Sequence, residues 1–371
     1  MLGALIILLL ALLGAEGWCR WQLARASGFD REKTREQQFF LSGQTGQYAN
    51  DSNPLIHRLG YKRIKGPDFN LVRGADGHEY RIMVLGGSAV MGFDNQIGYD
   101  WPSCLYTVLQ RYDSDWQFRV LNAGVSGGLS FHENMQMHAL RNYDVDLVIV
   151  YTGYNDLYYY FMEPDHFWRS QHLCQKRLGW INRTSDILAQ HSLLYATLRY
   201  KIMQLKPPVV TQDQSRAPEP MQLLDDTHLK YFANHLQRQT TALLTQCRAM
   251  HVPVLYIVQP SLTDIERLRP LTNFEKAQRN RLVKNRGADW QRVTALGMPV
   301  LVDCIRSVCQ AYDVPFVYFR SVVAPYSDLF YDDVHCHGIG MTVVGFEVAK
   351  LVQQKFLQRS TEGWGEMVKV H

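Results

Sequence analysis

The chain lacks the marks of most cofactor- and metal-dependent chemistries. No G-x-G-x-x-G follows its apolar runs, so the glycine cradle that a dinucleotide pyrophosphate needs is absent. The seven cysteines (Cys19, Cys104, Cys174, Cys247, Cys304, Cys309 and Cys336) are odd in number and widely spaced, which excludes a disulfide scaffold. Only Cys304 and Cys309 lie close together, five apart in a helical stretch, a poor geometry for a bridge and no zinc signature. Cys336 and His337 follow His335, but no second ligand pair has suitable spacing, so neither metal nor cofactor is expected. The net charge is only +4, with Lys and Arg scattered. No basic stripe tracks a phosphate backbone, which argues against nucleic acid. There is no internal repeat.

Hydrophobic residues make up 46% and aromatics 12% of the 371 residues, enough to fill a sizeable core. The N-terminus departs from this average. Leu2–Ala15 is fourteen residues without a polar side chain, so it has no face to turn to water. Trp18 and Trp21 follow it and suit a membrane–water interface, so residues 1–23 are expected to form a signal-anchor or transmembrane helix. Cleavage fits less well, because Leu13-Gly14-Ala15 matches the small-x-small rule only loosely. Arg20, Arg25, Arg31, Lys33 and Arg35 all follow the segment, which by charge alone would keep the main domain cytoplasmic.

The rest reads as an α/β domain. Apolar runs at 81–85, 118–121, 146–151, 252–258 and 315–319 have the length and composition of buried parallel strands. Helical stretches are expected near 101–112, 131–141, 227–250, 274–311 and 341–358, the fourth interrupted near Gly297-Met298-Pro299. Strands alternating with helices imply three αβα layers around a five-stranded, mostly parallel sheet. Residues 24–78 form a polar stem and N-terminal extension, 79–360 the main domain with an insertion at 157–226, and 361–371 a tail.

The chemistry is expected at the carboxyl ends of the strands. The first runs into Gly86-Gly87-Ser88, where a strand-to-helix turn would expose the serine hydroxyl beside its own N–H. A serine N-cap of the following helix is the plainer alternative. The G-x-S-x-G elbow is excluded, because Val90 stands where it needs glycine. The second strand ends in Asn122-Ala123-Gly124, where Gly124 could offer a backbone N–H or simply make a turn. The third ends in Gly153-Tyr154-Asn155-Asp156, where Asn155 could aim its amide into the site or merely form a turn. Asp332-Asp333-Val334-His335 precedes the last helix. Spacing of three in a helical turn would let Asp332 hold the imidazole of His335, with Asp333 pointing elsewhere.

These four elements, in this order, resemble the blocks of the SGNH (GDSL-type) hydrolase family over about residues 80–356. The family's G-D-S corresponds to Gly86-Gly87-Ser88, with Gly87 in place of the usual aspartate; its G-x-N-D corresponds to 153–156 and its D-x-x-H to 332–335. The resemblance implies a flavodoxin-like αβα fold and a serine esterase with Ser88 as nucleophile and Asp332 and His335 completing a triad. It further implies an oxyanion hole built from Ser88, Gly124 and Asn155. Carbohydrate O-acyl esters or small esters are the implied substrates. An O-acyltransferase using the same triad, and a silent carbohydrate-binding or assembly protein, remain open. Tyr154, Tyr158, Tyr159, Tyr160, Phe161, Phe167 and Trp168 follow the Asn155 strand end. They make either a hydrophobic plug or a substrate wall, the wall expected from Tyr154, Tyr158 and Trp168. The likeness to membrane-linked bacterial members implies a domain anchored through the N-terminal helix and facing the periplasm, against the charge rule.

Overall fold

The computed structural model describes residues 11–18, 20–21, 78–92, 100–125, 127–139, 144–164, 167–168, 194–195 and 224–361. Two compact units divide the chain: 1–61 with 168–216, and 62–167 with 217–371. The expected extension (24–78) and insertion (157–226) are each divided between the two units, while the strands all belong to the second. Residues 11–18, which include the end of the apolar N-terminal run, are helical, and the first ten lie outside the described residues.

In the larger unit the order is β1 (Glu79–Gly86), α1 (Ser88–Met91), α2 (Trp101–Tyr112), β2 (Gln117–Gly124), α3 (Ser130–Ala139), β3 (Leu147–Thr152) and α4 (Tyr154–Met162). It continues with α5 (Asp226–Ala249), β4 (Val254–Val258), α6 (Leu262–Ile265), α7 (Asn273–Ala311), β5 (Phe316–Tyr318), α8 (Arg320–Val323) and α9 (Gly338–Lys355). The strands form one sheet in the order β2-β1-β3-β4-β5, and every neighbouring pair is parallel. Both faces are therefore covered by helices, which is why the strands are apolar throughout rather than alternating.

The pleat sends successive side chains to opposite layers. Ile82, Val84, Leu147, Ile149, Leu255 and Ile257 join a core with Trp101 and Leu105 of α2 and Val344 and Val348 of α9. Gly345 lets α2 and α9 approach closely, since a Cβ there would lie 2.6 Å from the Cys104 Cβ. The α2 helix starts where Asp100 accepts the Ser103 N–H at 3.1 Å, with proline in its first turn.

Helix α7 corrects one expectation. It passes through Gly297 and Pro299 unbroken and turns out of helical geometry at Gly287, whose φ is +75°. Burial of Met298 and Leu301 holds it through the proline. Gly297 instead makes room for Leu157, whose Cδ1 would be 2.4 Å from a Cβ there. Residues Asp289–Ala311 are long and apolar enough to cross a membrane by composition, but half of that stretch is buried inside the fold. It includes the core residues Trp290, Val293 and Ile305, the pattern of a core helix. Among the described residues Cys104, Cys247, Cys304, Cys309 and Cys336 form no disulfide, and Cys19 and Cys174 lie outside them.

Candidate active site

Parallel strands that all point the same way gather their carboxyl ends at one edge, and the four predicted elements lie there. The serine side is built almost wholly from backbone. At the end of β1 a Cβ on Gly86 would lie 2.3 Å from the Tyr151 carbonyl oxygen, so only glycine fits beside β3. The Gly86 carbonyl accepts the Val125 N–H at 2.9 Å, which ties the tip of β2 to the serine turn. Asn122 adds a side-chain brace, its Nδ2 donating to the Val90 carbonyl at 2.9 Å and to Asp100 Oδ1 at 3.2 Å. Ser88 opens α1, and among the described residues its N–H has no hydrogen-bond partner.

The histidine side is a loop folded back on itself. Phe330 pairs with Cys336, and the Tyr331 N–H donates to the His335 carbonyl at 3.0 Å. The expected helical turn is absent. Asp332 Oδ1 accepts the N–H groups of Val334 at 2.9 Å and His335 at 2.7 Å, so a carboxylate turn does that work. Its other oxygen, Oδ2, lies 2.6 Å from His335 Nδ1. A carboxylate only accepts, so Nδ1 carries the proton and Nε2 is left as the acceptor. Nε2 lies 2.7 Å from Ser88 Oγ, across 247 residues of sequence. Burial alone would raise the Asp332 carboxyl. The bonds from His335, its electrostatic attraction and the backbone donors outweigh burial and hold it below the usual carboxylate range. Tyr331 stacks beside the imidazole, with ring centroids 5.8 Å apart and planes within 16°.

Asn155 lies in the first turn of α4, and its Nδ2 donates one hydrogen to the Gly128 carbonyl at 2.8 Å. That amide lies directly over the serine turn, since a Cβ on Gly87 would fall 2.6 Å from Nδ2. Glycine at 87 thus gives Asn155 its room.

Two expectations are corrected here. Gly124 is buried, and its N–H donates to Asn122 Oδ1 at 3.0 Å, so it is not free for a ligand. A Cβ there would lie 2.3 Å from the Met91 nitrogen, so Gly124 packs β2 against α1. The half-exposed backbone at this tip belongs to Gly127, φ +69°, whose N–H has no partner among the described residues. Gly127 stands three residues beyond Gly124, in Ser126-Gly127-Gly128.

The second correction concerns the aromatics. Tyr154 is 2% exposed, and its hydroxyl donates to Asp333 Oδ2 at 2.7 Å, so it braces the fold and does not face a ligand. Tyr158 is half-buried, stacked on Tyr154 and edge-on to Trp290, with its hydroxyl on Glu163 at 2.9 Å. Tyr160, Phe161 and Phe167 pack with Phe232 and His235 as a plug. Trp168 belongs to the other unit. The ring that reaches the β2 loop is Tyr159, whose hydroxyl would be 3.6 Å from a Cβ on Gly127.

Among the described residues no group of three or more His, Cys, Asp or Glu side chains could hold a metal. No family profile matches the chain, and no curated protein matches it in sequence. In fold it is similar to an acetyl xylan esterase at 11% identity, covering 73% of this chain and 99% of that one, TM-score 0.41. It is also similar to an acetyl-xylooligosaccharide esterase from Geobacillus Stearmophilus at 11% identity, covering 76% and 96%, TM-score 0.43. A third likeness is to an SGNH-hydrolase family esterase at 17% identity, covering 75% of this chain and 93% of that one, with a TM-score of 0.36.

Proposed function

We propose that the chain is a serine esterase acting through an acyl-enzyme on O-acyl, chiefly acetyl, esters of carbohydrate or on a small ester. The observation that supports this most is the unbroken relay Ser88 Oγ, His335 Nε2, His335 Nδ1 and Asp332 Oδ2, with both contacts between 2.6 and 2.7 Å. The nucleophile is within reach of its base, and the base is oriented by a carboxylate.

In the first half-reaction His335 Nε2 takes the Ser88 proton as Oγ attacks the ester carbonyl. The tetrahedral oxyanion is held by the Ser88 N–H and the second hydrogen of the Asn155 amide, with the Gly127 N–H as the third donor in place of Gly124. Each such donor is worth about 10²–10³ in rate. The imidazolium, stabilised by ionised Asp332, returns the proton to the leaving alkoxide. Water then enters along the same path, His335 again takes a proton, and the carboxylic acid leaves with Ser88 restored. Removal of the Ser88 hydroxyl tests the reading, with release of acetate from acetylated xylan and of nitrophenol from a short nitrophenyl ester as readouts.

The apolar N-terminal segment supports a membrane anchor with the esterase domain outside the cytoplasm, where acylated polymers lie. Alkaline phosphatase fused after His371 should be active in that orientation, and activity only from a cytoplasm-dependent reporter reverses it.

A further inference from the structure

Asp333 has no part in the relay, yet it is among the most heavily bonded side chains near it. It is 1% exposed. Its Oδ1 accepts the Thr263 N–H at 3.1 Å and the Thr263 hydroxyl at 2.8 Å. Its Oδ2 accepts the Tyr154 hydroxyl at 2.7 Å and the Trp290 indole N–H at 3.0 Å. The Asp333 carbonyl takes the Leu262 N–H at 2.7 Å. One residue thus ties the histidine loop to α4, α6 and α7. Burying a carboxylate is costly, and an apolar side chain could fill the same space at lower cost. What an apolar side chain cannot supply is direction. Four donors on two oxygens fix the plane of the carboxylate, and with it the chain on either side.

The neighbours of the two bonded residues show what that direction serves. Asp333 stands between Asp332 and His335, and Tyr154 stands immediately before Asn155. The bond between Asp333 and Tyr154 is therefore a short crosslink from the base to the oxyanion amide. Trp290 backs it, its ring 5.1 Å from that of Tyr154 and edge-on to it.

We propose that Asp333 is a positioning residue that sets the His335 base relative to the Asn155 amide through Tyr154. This rests on the esterase reading above. A shift of about 1 Å in such an arrangement costs about a hundredfold in rate. Loss of one bond to a charged acceptor costs about tenfold.

The test compares Asp333→Asn, Tyr154→Phe and the double variant in the full chain, using nitrophenyl acetate turnover per folded molecule and labelling of Ser88 by a fluorophosphonate. Asp333→Asn should lower kcat about a hundredfold with KM within about threefold, and slow labelling equally. Tyr154→Phe should lower kcat about tenfold, and adding it to Asp333→Asn should cost less than about twofold more. A purely structural role would lower the melting temperature and leave kcat per folded molecule within about twofold, which overturns the proposal; so would full additivity. If Asp333→Asn does not fold, Tyr154→Phe decides by the same thresholds. A wild-type chain that turns over ester and labels at Ser88 while the variants match it sinks the positioning role alone. A wild-type chain inert in both assays sinks the esterase reading and this proposal with it.

Discussion

The two halves of the site are held in different ways. The serine half is fixed by backbone in contact with backbone, at Gly86, Gly124 and Gly128, where a Cβ would meet main-chain atoms at 2.3 to 3.1 Å. The histidine half is fixed by side chains reaching between loops. Asp333 is one brace. Arg269 is another, donating to both oxygens of fully buried Glu275 at 2.7 Å and to the carbonyls of Ala324 and Tyr326 at 2.7 Å. A nucleophile beside its own N–H needs main chain placed closely, and no side chain can substitute for that. The base needs only its ring aimed, which side-chain bonds can do. The serine half should therefore fail abruptly on substitution, and the histidine half by degrees.

The largest effects should be chemical. Ser88→Ala and His335→Ala should each lower esterase turnover by at least about 10³ with the fold intact, and Asp332→Ala by less. Turnover on a nitrophenyl ester, with circular dichroism as the control, checks this. Next comes Gly124→Ala, with no partner in the chemistry. A Cβ at 2.3 Å from the Met91 nitrogen should cost about 3 kcal/mol or leave the chain unfolded, read by urea denaturation. A stable, active Gly124→Ala protein would remove the contrast from the serine side. Glu275→Gln should cost about 3 kcal/mol by stranding Arg269, yet reduce kcat per folded molecule less than about tenfold.

The smallest effect concerns the layer behind Asn155. Burial, and then the charge of Asp156, push the Glu133 carboxyl up to about 8, and burial pushes Asp156 to about 6 against its bonds from Ser130. Both groups bind protons more tightly folded than unfolded, so stability is greatest below the unfolded carboxylate range. It falls as pH rises, until the folded values are passed near 8. Glu133→Gln should flatten this slope by up to about 1.4 kcal/mol per pH unit, seen as melting temperatures between pH 5 and 8. An unchanged slope would show that the carboxyl titrates normally.

Legibility in the sequence follows the same division. The five strands were readable because a doubly covered parallel strand must be apolar along its whole length. The strand-end placement of Ser88 and Asn155 is legible because each follows the glycine that closes an apolar run, while the 2.7 Å approach of Ser88 to His335 across 247 residues is not. Spacing does not separate Gly124 from Gly127, because only the folded backbone shows that the Gly124 N–H is already bonded to Asn122. Spacing alone does not reveal that the Tyr154 hydroxyl meets Asp333, 179 residues away, so a brace and a wall look alike in the sequence. The kink at Gly287 is hidden for a related reason. Gly297 and Pro299 carry the stronger local breaker signal, and burial of Met298 and Leu301 overrides it.

The central claim is that Ser88 becomes acylated with His335 as its base. Intact-protein and peptide mass measurement after incubation with a fluorophosphonate tests it most directly. One adduct on the Ser88 peptide is expected in the wild type, with none in Ser88→Ala and labelling slowed at least about 10³-fold in His335→Ala. An adduct elsewhere, or equal labelling of the three proteins, would contradict it.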